Sequence, residues 1–149
     1  MSVLFRVSNL LVLPFWALMI LLPRWQWTMR IMRSPVISAA PAALYALVLP
    51  HLDEIWPAIS QPMLGGVSAF LSSPAGATIA WVHFLAFDLF VGRWIYLDSR
   101  ERLISTWRVG QALFLTLMVG PAGFLLYLVL RSAARCRRRE QEILFQPQW

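Results

Sequence analysis

Long apolar runs, each interrupted by only a few polar residues, set the pattern of this 149-residue chain. The first covers residues 3–22, with Arg6, Ser8 and Asn9 inside it and Pro14 near its middle. A second, Ala-rich run follows Ser34 and Pro35 and reaches Leu49; a third covers residues 75–97 and a fourth residues 109–130. An apolar stretch of roughly 20 residues crosses the hydrocarbon core as a helix, and an open chain in lipid satisfies its backbone polar groups only as a helix. No strand-like alternation and no internal repeat is visible. The pattern predicts an all-α membrane protein, a bundle of about four transmembrane helices with short interfacial segments.

The connections refine this picture. Residues 23–33, PRWQWTMRIMR, place Trp25, Met29 and Met32 at helical spacing beside Arg24, Arg30 and Arg33. That fits a short helix lying along the headgroups, with aromatic and arginine anchors; the alternative is the end of the first helix followed by a loop. Pro35 suits the first position of the next helix. Residues 51–73 are the least apolar internal region, and within them residues 63–71 read as a short interfacial helix or a re-entrant piece. Asp53 and Glu54 read as solvated carboxylates. Residues 1–131 are expected to form the membrane domain, and residues 132–149 an Arg-rich extramembrane tail.

Composition agrees. Residues are 59% hydrophobic and 13% charged, against about 25% charged in soluble domains. All 13 basic residues are arginine, giving a net charge of +6. They stand mostly between apolar runs, which implies contact with anionic lipid and argues against nucleic acid as a partner. The rule that positive loops stay cytoplasmic leaves orientation open. With four crossings, Arg24, Arg30 and Arg33 with Arg100, Arg102 and Arg108 oppose the tail cluster that begins at Arg131. The single cysteine, Cys136, excludes an intrachain disulfide. The first run lacks a small-residue cleavage pattern and reads as a span, not a removable signal.

The candidate chemistry lies in residues 81–98, WVHFLAFDLFVGRWIYLD, where His83, Asp88 and Arg93 interrupt an apolar run. Ionisable residues at membrane depth are costly and ordinarily face the protein interior. At 100° per residue His83, Phe87, Phe90 and Trp94 share a stripe, while Asp88 lies about 140° from His83 beside Trp81 and Gly92. Three polar groups pointing into different sectors predict a helix surrounded by several neighbours. In the fourth run Pro121 frees the carbonyl of Leu117, and Gly120 and Gly123 permit close approach of another helix. A protonated Asp88, or His83, is a suitable donor for that carbonyl. Asp88 therefore has two readings, a neutral packing donor or an acid–base group, and His83 has the same two. Asp98 and Arg102 read as a surface pair, worth a few tenths of a kcal/mol. No metal site and no cofactor is expected: ligand spacings, phosphate loops and hydrolase elbows are all missing.

LPFWALMILLP, MRSP, WVHFLAFDLFVGRWIYLDSR and FLTLMVGPAGFLLYLVLR together resemble the ABA-deficient-four-like integral membrane family. The resemblance extends to Arg131, and its most specific parts are the His83–Asp88–Arg93 spacing and Gly120 to Gly123. Plant members are plastid proteins required for making neoxanthin, so the resemblance implies a role in xanthophyll metabolism. Conversion of violaxanthin to neoxanthin is a redox-neutral isomerisation: an epoxide opens to a hydroxyl while loss of a vinylic proton makes an allene. It asks for an acid and a base. The resemblance thus implies catalytic roles for Asp88 and His83, with Phe87, Arg93, Trp94, Gly120 and Pro121 in substrate binding. The plastid transit peptide of plant relatives is missing, so a bacterial inner or photosynthetic membrane is expected. Membrane lipid and a carotenoid or other apolar small molecule are the expected partners, with a homo-oligomer or a partner enzyme enclosing a long polyene. Two further readings stay open: a non-catalytic pigment- or lipid-binding subunit or assembly factor, and a small transporter with Asp88 as proton relay.

Overall fold

The computed structural model of the protein describes residues 2–34, 36–44 and 63–144, with Trp56 and Ser60. Its elements are α1 (Ser2–Leu21), α2 (Gln26–Arg33), α3 (Val36–Leu44), α4 (Leu64–Ser72), α5 (Pro74–Glu101) and α6 (Thr106–Leu144). There is no strand among the described residues, so the all-α expectation holds. By length and composition, α1, α5 and the Thr106–Cys136 stretch of α6 are each long and apolar enough to cross a membrane. Of the expected second span only α3 is described; its continuation to residue 49, with Asp53 and Glu54, lies outside the described residues.

The chain divides into two compact units, one of Met1–Ala17 and Ser34–Phe90, the other of Leu18–Arg33 and Val91–Trp149. In the first unit, α1 handles its polar residues locally. Ser8 Oγ and Asn9 Nδ2 both donate to the Phe5 carbonyl, at 2.9 and 2.7 Å, so neither hydroxyl nor amide is left wanting in an apolar run. Asn9 Oδ1 also accepts from Trp81 Nε1 at 3.1 Å, and the Phe5 and Trp81 rings lie 5.6 Å apart. Ile79 is buried against Leu4 and Phe70. Pro14 sits inside α1 without ending it.

Ser73 starts α5. Its hydroxyl accepts from the Gly76 N–H at 3.0 Å and donates to the Phe70 carbonyl at 2.8 Å, which caps the new helix and closes the old one. Pro74 takes the first helical position, where no donor is needed. A Cβ on Gly76 would overlap the Phe70 carbonyl, so the turn is tight enough to require glycine.

Buried positions of α5 lie three, four or seven residues apart within each unit: Ile79, Val82 and Leu89 in the first, Ile95 and Tyr96 relative to Ser99 in the second. Each set makes a buried face. The sequence predicted a helix enclosed on several sides; instead Phe84, Phe87 and Phe90 are each more than half exposed. This outward row suits lipid, which solvates aromatic rings as readily as a protein core does.

In the second unit, α1 ends at Leu21 and the chain turns through Pro23 into α2, the expected short amphipathic helix. Two carbonyls of the turn take side-chain donors: Leu22 accepts from Thr28 Oγ1 at 2.8 Å, and Pro23 accepts from Tyr96 Oη at 2.8 Å and from Arg100. The C-terminus of α5 closes with Leu103 in the left-handed region, φ 54°. Leu103 N–H bonds the Arg100 carbonyl and Ile104 N–H the Ser99 carbonyl, the pair of bonds that defines a Schellman cap.

Helix α6 departs most from the sequence picture. Val119 leaves helical geometry (φ −145°, ψ 65°) two residues before Pro121. A Cβ on Gly123 would collide with the backbone and hydroxyl of Thr116. Seven residues of straight helix separate Cα atoms by about 10 Å, so the chain folds back at Val119. Tyr127 and Arg131 consequently reach Asp98, near the end of α5, which a straight α6 would place some 30 Å away. The fourth run was expected to cross as one helix. It forms two arms, 106–118 and 120–144, because Pro121 deletes a backbone bond and the glycines let the arms touch. The second arm continues into the Arg-rich segment as helix.

Candidate functional site

The sequence-predicted residues fall into both units. His83, Phe87 and Asp88 belong to the first; Arg93, Trp94, Gly120 and Pro121 belong to the second. All but the last two lie on α5.

In the first unit His83 is exposed and stacks on Phe87, ring centroids 6.2 Å apart and planes within 8°. Phe84 meets His83 edge-on at 6.1 Å, and Phe90 follows Phe87 at 6.4 Å. Asp88 is half-buried and interacts electrostatically with His83. The imidazole thus stands in an aromatic row open to lipid, with a carboxyl group on the adjoining face of the same helix. That arrangement offers an apolar ligand a stacking surface and two groups able to exchange protons.

In the second unit α5 presents two polar stripes. Arg93, Tyr96 and Arg100, spaced three and four apart, reach the 22–33 segment. Arg93 Nε donates to the Met32 carbonyl at 2.6 Å and Nη2 to the Arg33 carbonyl at 3.2 Å, so a cation satisfies the last carbonyls of α2, where the helix dipole is negative. Arg93 is therefore an anchor for α2. The other stripe is Trp94, Asp98 and Arg102. Asp98 accepts from Arg102 Nε at 2.8 Å, from Tyr127 Oη, and from Arg131 Nη2 at 3.2 Å. The Arg131 guanidinium also lies 5.3 Å over the Trp94 ring, and Tyr127 meets that ring edge-on at 5.6 Å.

Asp98 is only 11% exposed, against 29% for Arg102 and 25% for Arg131. Two guanidinium groups and a phenol on one carboxylate make a lock between α5 and the second arm of α6. The carboxylate raises the Arg102 pKa, chiefly through its hydrogen bond. Sequence reasoning found the Asp98–Arg102 spacing but placed it on the surface, and it missed Tyr127 and Arg131. Their i, i+4 spacing was visible; the reversal that brings them to Asp98 was not. Gly120 and the exposed Pro121 stand at that reversal.

Residues 3–127 match the ABA DEFICIENT 4-like family. The chain is 30% identical over 138 residues to Protein ABA DEFICIENT 4, chloroplastic, of Arabidopsis thaliana, a match that takes in 88% of this chain and 61% of that protein. The chain thus spans about three-fifths of the length of the curated relative it matches. No solved structure matches it. The family match includes His83, Asp88, both stripes of α5 and the Tyr127 that closes on Asp98. Three apolar helices and a match over most of its length identify a membrane protein that belongs to the ABA DEFICIENT 4-like family.

Proposed function

We propose that the chain is a multi-pass membrane protein of xanthophyll metabolism that isomerises an epoxide end group to an allene. The observation that carries this reading is the pairing on α5 of a half-buried Asp88 with an exposed His83 stacked on Phe87. Family membership supports a xanthophyll as the substrate. Asp88 gives its proton to the epoxide oxygen as the carbon–oxygen bond breaks, and His83 takes the vinylic proton whose electron pair becomes the new double bond. One proton is given and one is taken, no electrons are exchanged, and transfer from His83 back to Asp88 resets the pair. The Phe87 and Phe90 rings lie along the polyene.

The test is pigment analysis in cells carrying Asp88→Asn or His83→Gln. The expected result is accumulation of the epoxide with loss of the allene, while pigment still co-purifies with the protein. Unchanged allene in the Asp88→Asn strain refutes the acid role. The exposed Phe84–Phe87–Phe90 row also favours a second reading, a non-catalytic pigment-binding subunit. In that case Asp88→Asn is silent, whereas Phe87→Ala with Phe90→Ala strips the co-purified pigment.

A further inference from the structure

A groove of about 740 Å³ opens in the second unit between the end of α1, the turn after it and both arms of α6. Its size suits a drug-sized or lipid-sized ligand. Trp107, Gly110, Phe114 and Leu126 line it, with Arg24, Thr106 and Gln111 as its polar residues. Trp107 and Phe114 are 77% and 56% exposed, so the groove faces the surroundings along much of its length. The reversal at Val119 creates it, because only a folded α6 puts Leu126 beside Phe114.

Charge selects the occupant. No acidic residue lines the groove, and among the described residues Arg24 has no carboxylate partner. Around that end stand Arg100, which shares the Pro23 turn, and Arg102 and Arg131, which share Asp98. The folding back of α6 also removes the orientation conflict in the sequence. Arg131, where the tail cluster begins, comes to the same end as Arg24 and Arg100. Clustered arginines mark the cytoplasmic face, where anionic lipids are enriched.

We infer that this groove binds one acidic phospholipid, its phosphate on Arg24 and an acyl chain along Trp107, Gly110 and Phe114. The site is independent of the reaction proposed for Asp88 and His83.

The experiment uses the full chain purified in a nonionic detergent, incubated with equal amounts of dioleoyl phosphatidylglycerol and dioleoyl phosphatidylcholine, and read by native mass spectrometry. Wild type should retain one phosphatidylglycerol with about a fivefold preference, the value of one arginine near a charged headgroup. Arg24→Gln should bring the two lipids to parity, while Arg135→Gln, outside the groove, should change nothing. Gly110→Phe should lose both lipids; a Cβ there meets only open space, so the added ring fills the groove without displacing the backbone. Inorganic phosphate should not compete. The proposal is overturned if Arg24→Gln keeps the preference or if Gly110→Phe binds phosphatidylglycerol as wild type does. Displacement by free phosphate overturns it too, as does release of a co-purified carotenoid, with no change in phospholipid, on filling the groove.

Discussion

Tyr127 donates a hydrogen bond to Asp98, 29 positions earlier in the chain, and the same carboxylate takes guanidinium groups from both sides. The bond exists only because α6 reverses between them. Asp98→Asn removes the charge that two arginines share and should lower stability by about 2–3 kcal/mol, less than a fully buried pair because both arginines reach solvent. Tyr127→Phe, which keeps the ring on Trp94, should cost about 1 kcal/mol. Thermal or denaturant unfolding in detergent measures both, and equal costs would contradict a lock centred on the carboxylate.

Arg93 fixes the C-terminus of α2. Arg93→Ala should loosen that helix, with amide exchange across residues 26–33 rising and a stability loss of about 1–2 kcal/mol. Arg93→Lys should recover only part, because an ammonium on a flexible stem does not reproduce the guanidinium fork that spans the Met32 and Arg33 carbonyls. Full recovery by lysine would mean that charge alone matters.

Gly123 lies where a side chain would enter the Thr116 backbone. Gly123→Ala should cost about 3 kcal/mol as the arms of α6 are forced apart. Adding Thr116→Ala should give little relief, since the hydroxyl is only one of the atoms struck. A silent Gly123→Ala would mean that the arms do not touch.

Leu103 adopts a left-handed conformation at 82% exposure, a position that favours glycine. Leu103→Gly should therefore stabilise the protein by about 1 kcal/mol. A loss of stability in the same unfolding assay would show that the leucine side chain contributes more than its backbone costs.

The folded α6 puts the tail and the first connection at one end. Cys136 is free and exposed, so a membrane-impermeant maleimide should label it from the same side as a cysteine introduced by Trp27→Cys in a Cys136→Ser background. Labelling from opposite sides would falsify the reversal.

The helices and their apolar character were legible because hydropathy and punctuation are local. Pro23 closed the first run, and the Trp, Met and Arg spacing of residues 23–33 marked α2; the third apolar run begins at residue 75, and the Ser73–Pro74 start of α5 came only with the structure. The break near Pro121 was legible too, since a missing donor can be read from one residue. Its direction was not. A proline states that a helix bends, whereas the angle follows from what Gly123 allows and what Asp98 attracts, both of which are tertiary. Arg93 shows the same limit. A cation at membrane depth invites a functional reading, yet its partners are carbonyls some 60 residues away, and no pattern of side chains encodes a carbonyl.

The reversal at Val119 bears on how the protein enters a membrane. A final helix that crossed would carry the arginines beginning at Arg131 through the hydrocarbon, at about 2.5–3.5 kcal/mol or more for each charge at the centre. The apolar part of each arm is instead shorter than the core: residues 106–118 and 120–130 span about 20 and about 17 Å of helix, against a thickness of about 30 Å. The two arms can enter together as a hairpin, tip first, with Gly120 and Pro121 leading. In that route the arginine cluster stays on the side where it was synthesised, and no charge is translocated.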